Sequence, residues 1–135
     1  MIYLDSSGVV KLIRVETSTA ELVAWLGHRE STALVSSALA EVEVPRALRR
    51  HAPAALEGAQ AVLSRLYIVE IDATVRATAA AYDIRTLRSL DAIHLASAEL
   101  LARESEGLEA LVAYDERLLD AATSIGLPAV SPGLD

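Results

Sequence analysis

Three aspartates share one local setting in this chain. Asp5 follows a short apolar run, Asp115 follows another, and Asp91 stands in the first turn of a predicted helix, just after Ser89. In a parallel sheet, the carboxyl ends of the strands and the starts of the following helices lie on the same side, so the three side chains can converge. The positive end of a helix dipole also favours a carboxylate there, which makes an ordinary helix cap an equally good interpretation of each aspartate by itself.

A fourth carboxylate is expected from the third predicted helix, where Glu41 and Glu43 are the two candidates. Two residues on a helix are separated by about 200° of rotation, so only one of these side chains can face a given crevice. Helical spacing alone does not choose between them.

Carboxylates gathered at one point predict a site for a hard divalent cation. Four such groups repel one another and push each other towards protonation unless a cation neutralises them. Mg²⁺ and Mn²⁺ prefer oxygen ligands, and Mg²⁺ keeps several of its waters when it binds. A water activated by such an ion attacks a phosphodiester, and the ion also neutralises the charge that develops on the phosphate. The acidic residues therefore suggest metal-assisted hydrolysis.

Short apolar runs alternate with helical patterns along the chain. Strands are predicted at residues 2–4, 33–35, 67–71, 110–114 and, as a short fifth strand, 129–130. Helices are predicted at residues 7–13, 18–29, 38–51, 53–66, 73–85, 89–104 and 115–124, with Ser36-Ser37 and Ser89 as caps. Strands separated by helices imply a mainly parallel sheet with helices on both faces. We therefore expect one α/β domain over residues 1–135, built on a central sheet of four to five strands.

Composition sets outer limits on the function. The 135 residues are 53% hydrophobic and 23% charged, which is typical of a globular domain. The chain has no cysteine, which excludes disulfides and thiolate metal sites and fits a cytoplasmic location. No apolar run is long enough to span a membrane, and Asp5 interrupts the pattern of a signal peptide. The net charge of −7 counts against general phosphate-driven nucleic-acid binding but not against an acidic metal pocket, and it leaves room for a basic partner protein.

Four blocks of sequence around these acids resemble the PIN-domain nucleases, and most closely the VapC toxins of type II toxin–antitoxin pairs. The similarity runs from end to end and keeps the order and approximate spacing of the acidic blocks. The most specific block is Leu90-Asp91-Ala92-Ile93-His94-Leu95-Ala96. The other three are Ile2-Tyr3-Leu4-Asp5-Ser6-Ser7 with Lys11, Ser37-Ala38-Leu39-Ala40-Glu41-Val42-Glu43, and Ala113-Tyr114-Asp115-Glu116-Arg117-Leu118.

This resemblance implies a fold, an activity and a set of site residues. The acidic site of the family falls on Asp5, Glu43, Asp91 and Asp115, and the register of the second block makes Glu41 a variable position. The implied activity is that of an endoribonuclease that depends on Mg²⁺, with Mn²⁺ as a substitute. The implied partners are specific cellular RNA, a cognate VapB-type antitoxin that blocks the acidic pocket, and a second copy of the chain in a homodimer.

Two residues depart from the family pattern. Pro45 stands where leucine is common, and inside a helix it removes one backbone hydrogen bond and is expected to kink the chain near Glu43. Ala113 stands where serine or threonine is frequent, two residues before the last aspartate. The missing hydroxyl predicts weaker metal binding, so that Ala113→Thr should tighten Mg²⁺.

Other residues near the acids are candidates for supporting or substrate contacts. Arg46 lies one turn from Glu43 and suits a phosphate, although a solvated helix face explains an arginine there equally simply. Ser6 offers a hydroxyl beside Asp5, and Glu41 is a further candidate for a supporting contact. His94 is expected to be a core or supporting histidine and not a metal ligand, because it stands in an apolar helix.

Two other functions fit parts of the sequence. A phosphatase of the haloacid dehalogenase type also begins with a strand and an aspartate, but it needs a second aspartate two residues later, where Ser7 stands. A catalytically weak PIN-fold module that binds RNA or protein is the other alternative, and Pro45 and Ala113 are the residues that keep it open.

Overall fold

Five strands alternate with seven α-helices in the part of the chain that the computed structural model describes, residues 1–104 and 106–134. The strands are β1 (Ile2–Leu4), β2 (Leu34–Ser37), β3 (Tyr67–Val69), β4 (Ala110–Val112) and β5 (Ala129–Val130). The helices are α1 (Ser6–Ile13), α2 (Thr19–Gly27), α3 (Ala40–His51), α4 (Leu56–Leu63), α5 (Ala73–Ala81), α6 (Ser89–Ala102) and α7 (Glu116–Ser124). A short 3₁₀ turn, Pro53–Ala55, precedes α4.

The strands form one sheet in the order β3-β2-β1-β4-β5, and every neighbouring pair is parallel. β1 is the central strand: Ile2 lies opposite Leu34 on one side and Ala110 on the other. Its three residues are fully buried, as expected of a strand covered on both faces. The predicted parallel sheet of four to five strands is confirmed.

Two apolar clusters cover the two faces of the sheet. Side chains alternate along a strand, so Ile2 and Leu4 point to one cluster while Tyr3 points to the other. The first cluster includes Leu22, Val44, Leu48 and Leu63 from α2, α3 and α4. The second includes Leu95 and Ala98 from α6 and Leu118, Ala121 and Ala122 from α7. Helices therefore lie on both faces, as the alternation of strands and helices predicted.

Ser36 and Ser37 are not helix caps, because β2 continues through both of them. They pair with Ile68 and Val69 of β3, and the Ser36 hydroxyl donates a 2.7 Å hydrogen bond to the carbonyl of Leu4. The helix begins only at Ala40, two residues later than predicted. The Ser36 hydroxyl therefore serves the sheet, while the Ser37 hydroxyl accepts a 3.0 Å hydrogen bond from the amide of Leu39, in the turn before α3. Local sequence does not distinguish these uses from capping.

Several other boundaries also differ from the prediction. Arg88, with an extended backbone, is the residue before α6, and Ser89 is the first helical residue and not the cap. The predicted helix over 53–66 is a 3₁₀ turn followed by α4, and α5 ends at Ala81 because Tyr82 has an extended backbone. β3 and β4 are two residues shorter than predicted. Pro45 lies inside α3, and the helix continues through it to His51.

The longest helix in the described ranges is α6, with 14 residues. Among those residues, no helix combines the length and the apolar character that crossing a membrane requires.

Candidate functional site

The junctions between strands and helices carry two of the predicted carboxylates. Asp5 comes directly after β1 and is the residue before α1, while Asp115 precedes α7, three residues beyond the end of β4. Because β1 and β4 are parallel neighbours, both junctions lie at the same edge of the sheet. The side chain of each aspartate accepts backbone N–H hydrogen bonds from the first turn of its helix, so both are also true N-caps.

Asp5 is held through one of its two carboxylate oxygens. Oδ1 accepts hydrogen bonds from the Ser7 hydroxyl at 2.6 Å and from the Gly8 amide at 2.9 Å. Within the described residues no hydrogen bond reaches Oδ2, and no buried side-chain oxygen lacks a partner. Oδ2 is therefore open to solvent although the residue is only 5% exposed. Burial raises the pKa of Asp5, and the charge of Asp91 adds to this rise.

Asp91 stands in the first turn of α6 and is half-buried. Burial raises its pKa, and the negative charges of Asp115 and Glu43 raise it further. Arg88 acts in the opposite direction. Nε2 of His94, one turn after Asp91 on α6, lies 2.9 Å from Oε1 of Glu43 and 3.2 Å from the hydroxyl of Ser6, the residue after Asp5. These three carboxylates, with Asp115 at the same edge of the sheet, are called the acidic cluster.

Glu43 belongs to this cluster and Glu41 does not. Oε1 of Glu43 accepts a 2.6 Å hydrogen bond from the Ser6 hydroxyl and a 2.9 Å hydrogen bond from Nε2 of His94. Burial by itself would raise the pKa of Glu43, but the hydrogen bonds from His94 and Ser6 outweigh it and the pKa is lowered. The side chain of Glu41 is exposed. Helix geometry in the folded chain thus separates two candidates that spacing in the sequence left open.

His94 supports the acidic cluster instead of simply filling the core. It is 2% exposed, and both ring nitrogens have partners: Nδ1 lies 2.7 Å from the Tyr3 hydroxyl and Nε2 contacts Glu43. Tyr3 and Ser7 were missed by the sequence analysis. The signal for Tyr3 was its alternation with Ile2 and Leu4 on β1, which points its phenol towards α6. For Ser7 the signal was its place two residues after Asp5.

A groove beside Glu43 contains the predicted Arg46. Its volume is about 510 Å³, and it is lined by Leu39, Val42, Glu43, Arg46, Ala47, Arg50, His51 and Leu90. Arg46 and Arg50 are exposed. The lining of the groove is therefore acidic at Glu43, basic at Arg46 and Arg50, and otherwise mostly apolar.

Ala113 is fully buried in the apolar cluster with Leu111 and Leu118, and its carbonyl accepts a 2.9 Å hydrogen bond from the Ser131 hydroxyl. A threonine at this position would have to place its hydroxyl in that cluster. The expected gain in Mg²⁺ affinity from Ala113→Thr stays a prediction.

The acidic cluster fits a hard divalent ion by its chemistry. Asp5 and Glu43 each use a single carboxylate oxygen for hydrogen bonds with neighbouring groups, as does Asp115. Among residues 1–104 and 106–134, no three acidic or histidine side chains close around one point as a finished metal cage. Such a cage is not required, because Mg²⁺ keeps several waters and is usually held by one or two carboxylates. Asp5, Glu43, Asp91 and Asp115 are therefore a suitable donor set.

Comparison with known proteins agrees with this arrangement. The family model of the PIN domain matches residues 2–123. The chain is 50% identical to ribonuclease VapC35 of Mycobacterium tuberculosis over 133 residues, which is 98% of both chains.

Solved structures share the fold. VapC20 of M. tuberculosis, described as a toxin that cleaves the sarcin–ricin loop, superimposes with a TM-score of 0.72 at 18% identity over 98% of this chain and 100% of its own. A toxin–antitoxin complex from Klebsiella pneumoniae gives a TM-score of 0.70 at 18% identity over 98% of each chain. The 50% identity over 98% of the chain, the match to the PIN family model and the shared fold lead to one conclusion. The chain belongs to the PIN-domain family and is of the VapC type.

Proposed function

We propose that this protein is a metal-dependent endoribonuclease and the toxin of a VapB–VapC type pair. The observation that carries the proposal is the convergence of Asp5, Glu43, Asp91 and Asp115 at one edge of the sheet, in a chain half-identical to a named ribonuclease over its whole length. Burial raises the pKa of Asp5 and of Asp91, and neighbouring carboxylates add to this rise, so a bound cation would stabilise their charged forms.

In this proposal the four carboxylates hold Mg²⁺ or Mn²⁺. When bound, the ion supplies an activated water and neutralises the charge that develops on the phosphate. The side chains around the acids keep them in position. Ser7 and the Gly8 amide orient Asp5 through Oδ1, and Ser6 with His94 orients Glu43 through Oε1.

Arg46 is proposed to contact the RNA backbone. It lines the same groove as Glu43, and a guanidinium there attracts a phosphate while the acids by themselves repel it. Glu41 is exposed, and its proposed role is a contact to RNA outside the acidic cluster.

The proposed partners are a VapB-type antitoxin and a second copy of the chain, in the cytoplasm. The similar fold in the Klebsiella toxin–antitoxin complex supports the first. A net charge of −7 favours a partner segment that carries basic residues.

The test is cleavage of a mixed RNA pool in Mg²⁺ by the wild-type protein, with EDTA as a metal-free control. Asp5→Asn should abolish cleavage while keeping the helix cap, because asparagine caps as well as aspartate. The matched control is Asp72→Asn, since Asp72 caps α5 in the same way through a 2.9 Å hydrogen bond from Val75. Cleavage lost in EDTA and in Asp5→Asn, but kept in Asp72→Asn, is the expected result.

Calorimetric titration with Mg²⁺ separates the remaining outcomes. A wild-type protein that neither cuts nor binds the ion would contradict the proposal and favour the catalytically weak binding module. A protein that binds Mg²⁺ but cuts nothing would indicate that the pool lacks its RNA substrate. The assay is then repeated with RNA from other sources and with protein free of antitoxin.

A further inference from the structure

His94 lies where β1, α1, α3 and α6 meet. Its Nδ1 is 2.7 Å from the Tyr3 hydroxyl, and its Nε2 is 2.9 Å from Oε1 of Glu43 and 3.2 Å from the Ser6 hydroxyl. The Tyr3 ring meets the imidazole edge to face, with the centroids 5.9 Å apart. Both His94 and Tyr3 are almost completely removed from solvent. The imidazole is therefore fixed by a polar contact at each ring nitrogen and by the ring of Tyr3.

The direction of each hydrogen bond follows from the protonation state of Tyr3. The phenol of Tyr3 is protonated at neutral pH, since the ordinary pKa of tyrosine is about 10, and it can donate across the 2.7 Å contact. When the phenol donates to Nδ1, a neutral imidazole carries its proton on Nε2. Nε2 then donates to Glu43. Tyr3 thus selects the tautomer that binds the carboxylate.

This network uses one oxygen of Glu43 and leaves the other free. Ser6 and His94 both donate to Oε1, while no hydrogen bond within the described ranges reaches Oε2. Glu43 needs this support, because the nearby amides of the first turn of α3, at residues 41–43, already donate to backbone carbonyls. Fixing a long glutamate side chain in one orientation also costs rotamer entropy.

We propose that His94, oriented by Tyr3, is a positioning residue that turns Oε2 of Glu43 towards Asp5, Asp91 and Asp115. The proposal rests on the proposed metal-dependent function. His94 stands one turn after Asp91 on α6, so the same helix supplies one carboxylate and orients another. The relative placement of these two acids is then set by a single rigid element and does not depend on α3 alone.

The test is calorimetric titration of metal-free protein with Mn²⁺. His94→Leu keeps the size of the side chain but removes the donor, and we expect Mn²⁺ affinity to fall about 10- to 100-fold, the usual cost of losing a partner that orients a ligand. His94→Gln keeps an N–H donor within reach of Glu43, and its affinity should stay within about threefold of wild type. Rescue by glutamine separates positioning of Glu43 from simple filling of the core.

Tyr3→Phe tests the tautomer without changing the shape of the core. We expect a loss of about 3- to 10-fold in Mn²⁺ affinity, smaller than for His94→Leu because the donor itself remains. Tyr82→Phe is the matched control. It also removes a phenol that donates to a side chain of α6, Glu99, at 2.8 Å, but lies outside the acidic cluster, and its affinity should equal that of wild type.

Each result decides one point. Wild-type Mn²⁺ affinity in both His94→Leu and Tyr3→Phe would overturn the inference while leaving the metal-dependent function intact. A wild-type protein that binds no Mn²⁺ and cuts no RNA overturns both. Circular dichroism and thermal unfolding accompany every titration; if His94→Leu does not fold, the pair Tyr3→Phe and Tyr82→Phe decides.

Discussion

The carboxylates of the site are held in two different ways. At the strand–helix junctions, Asp5 and Asp115 accept hydrogen bonds from backbone N–H groups two or three residues further along the chain. In the first turn of α3, Glu43 accepts hydrogen bonds, among the described residues, only from side chains, Ser6 and His94, that are far away in the sequence. A junction carboxylate is thus placed by its own short segment, whereas Glu43 depends on how α1, α3 and α6 pack.

This difference separates structural from chemical roles. A junction aspartate has a helix to cap whether or not it binds an ion, so its removal changes stability and activity together unless asparagine replaces it. Glu43 caps nothing, and its hydrogen bonds only orient its own carboxylate. Substitutions that remove the helix cap or the carboxylate charge separately can therefore test this difference between the junction aspartates and Glu43.

The largest effect is expected at α3, where two glutamates differ in burial and in their hydrogen-bond partners. Glu43→Gln should lower the RNA cleavage rate about 100-fold or more, the order of loss when a group that serves water activation is removed. Glu41→Gln should leave the rate within about twofold, because Glu41 is exposed. Rates are compared on one cleaved RNA under single-turnover conditions. Equal losses in the two variants would show that the oriented carboxylate has no special role.

Asp115→Asn should separate the two roles of a junction carboxylate. The asparagine oxygen can still cap α7, so the melting temperature should hardly change, while cleavage should fall about 100-fold. Asp72→Ala, at the cap of α5, should do the reverse: about 1 kcal/mol of stability is lost and cleavage is unchanged. Thermal unfolding and cleavage are measured on both variants. Full activity in Asp115→Asn would remove Asp115 from the site.

Asp5→Asn is expected to stabilise the metal-free protein at pH 7.5. Burial raises the pKa of Asp5 in the folded state, so the folded protein retains a proton at pH values where the unfolded chain has lost it. The wild-type protein therefore loses stability as the pH rises from the unfolded value of about 3.9 through the folded pKa. The variant lacks this loss, and its melting temperature in EDTA should be a few degrees higher.

A series of unfolding curves from pH 4 to 8 checks the sign. The advantage of Asp5→Asn over wild type should be full at the alkaline end and shrink towards pH 4. Glu43→Gln supplies the contrast, because the lowered pKa of Glu43 gives stability above the unfolded value, which is lost as the pH falls through the folded pKa. If the stability advantage of Asp5→Asn over wild type grew as the pH fell, the pKa of Asp5 could not be raised in the folded state.

Ser7→Ala should have the smallest effect. It removes the 2.6 Å hydrogen bond to Asp5 and the contact of 3.3 Å with the Tyr114 amide, at a cost of about 1 kcal/mol. The Gly8 amide still holds Asp5, so cleavage should stay within about threefold of wild type. Urea unfolding and cleavage are the measurements. A loss of activity as large as that of Asp5→Asn would mean that the local backbone does not suffice to place a junction carboxylate.

The features that the sequence predicted well are the locally determined ones. The five strands, the parallel sheet and the position of Asp5 and Asp115 at strand–helix junctions depend on short apolar runs and on the residues that follow them. Ser36 and Ser37 were misinterpreted because a serine before a helix has the same local sequence in two cases. It can cap the helix or, like Ser36, donate a hydrogen bond to a neighbouring strand, here β1.

The features that spacing alone could not decide are contacts between distant segments. The choice of Glu43 over Glu41 came from the family resemblance, since both glutamates have the same local pattern. The partners of His94 come from β1, α1 and α3, and their meeting point is set by tertiary packing. A lone histidine in an apolar helix carries no sign of this in its neighbours.

The central position of β1 has a consequence for how the protein is made. Residues 2–4 are synthesised before their partners Leu34 and Ala110, so the sheet stays open along one side of β1 until Ala110 has been synthesised. Contacts between residues so far apart in sequence also slow folding. Asp5 is the first carboxylate of the cluster to be synthesised and Asp115 the last. A nascent chain therefore carries no assembled acidic site until Asp115 has been synthesised.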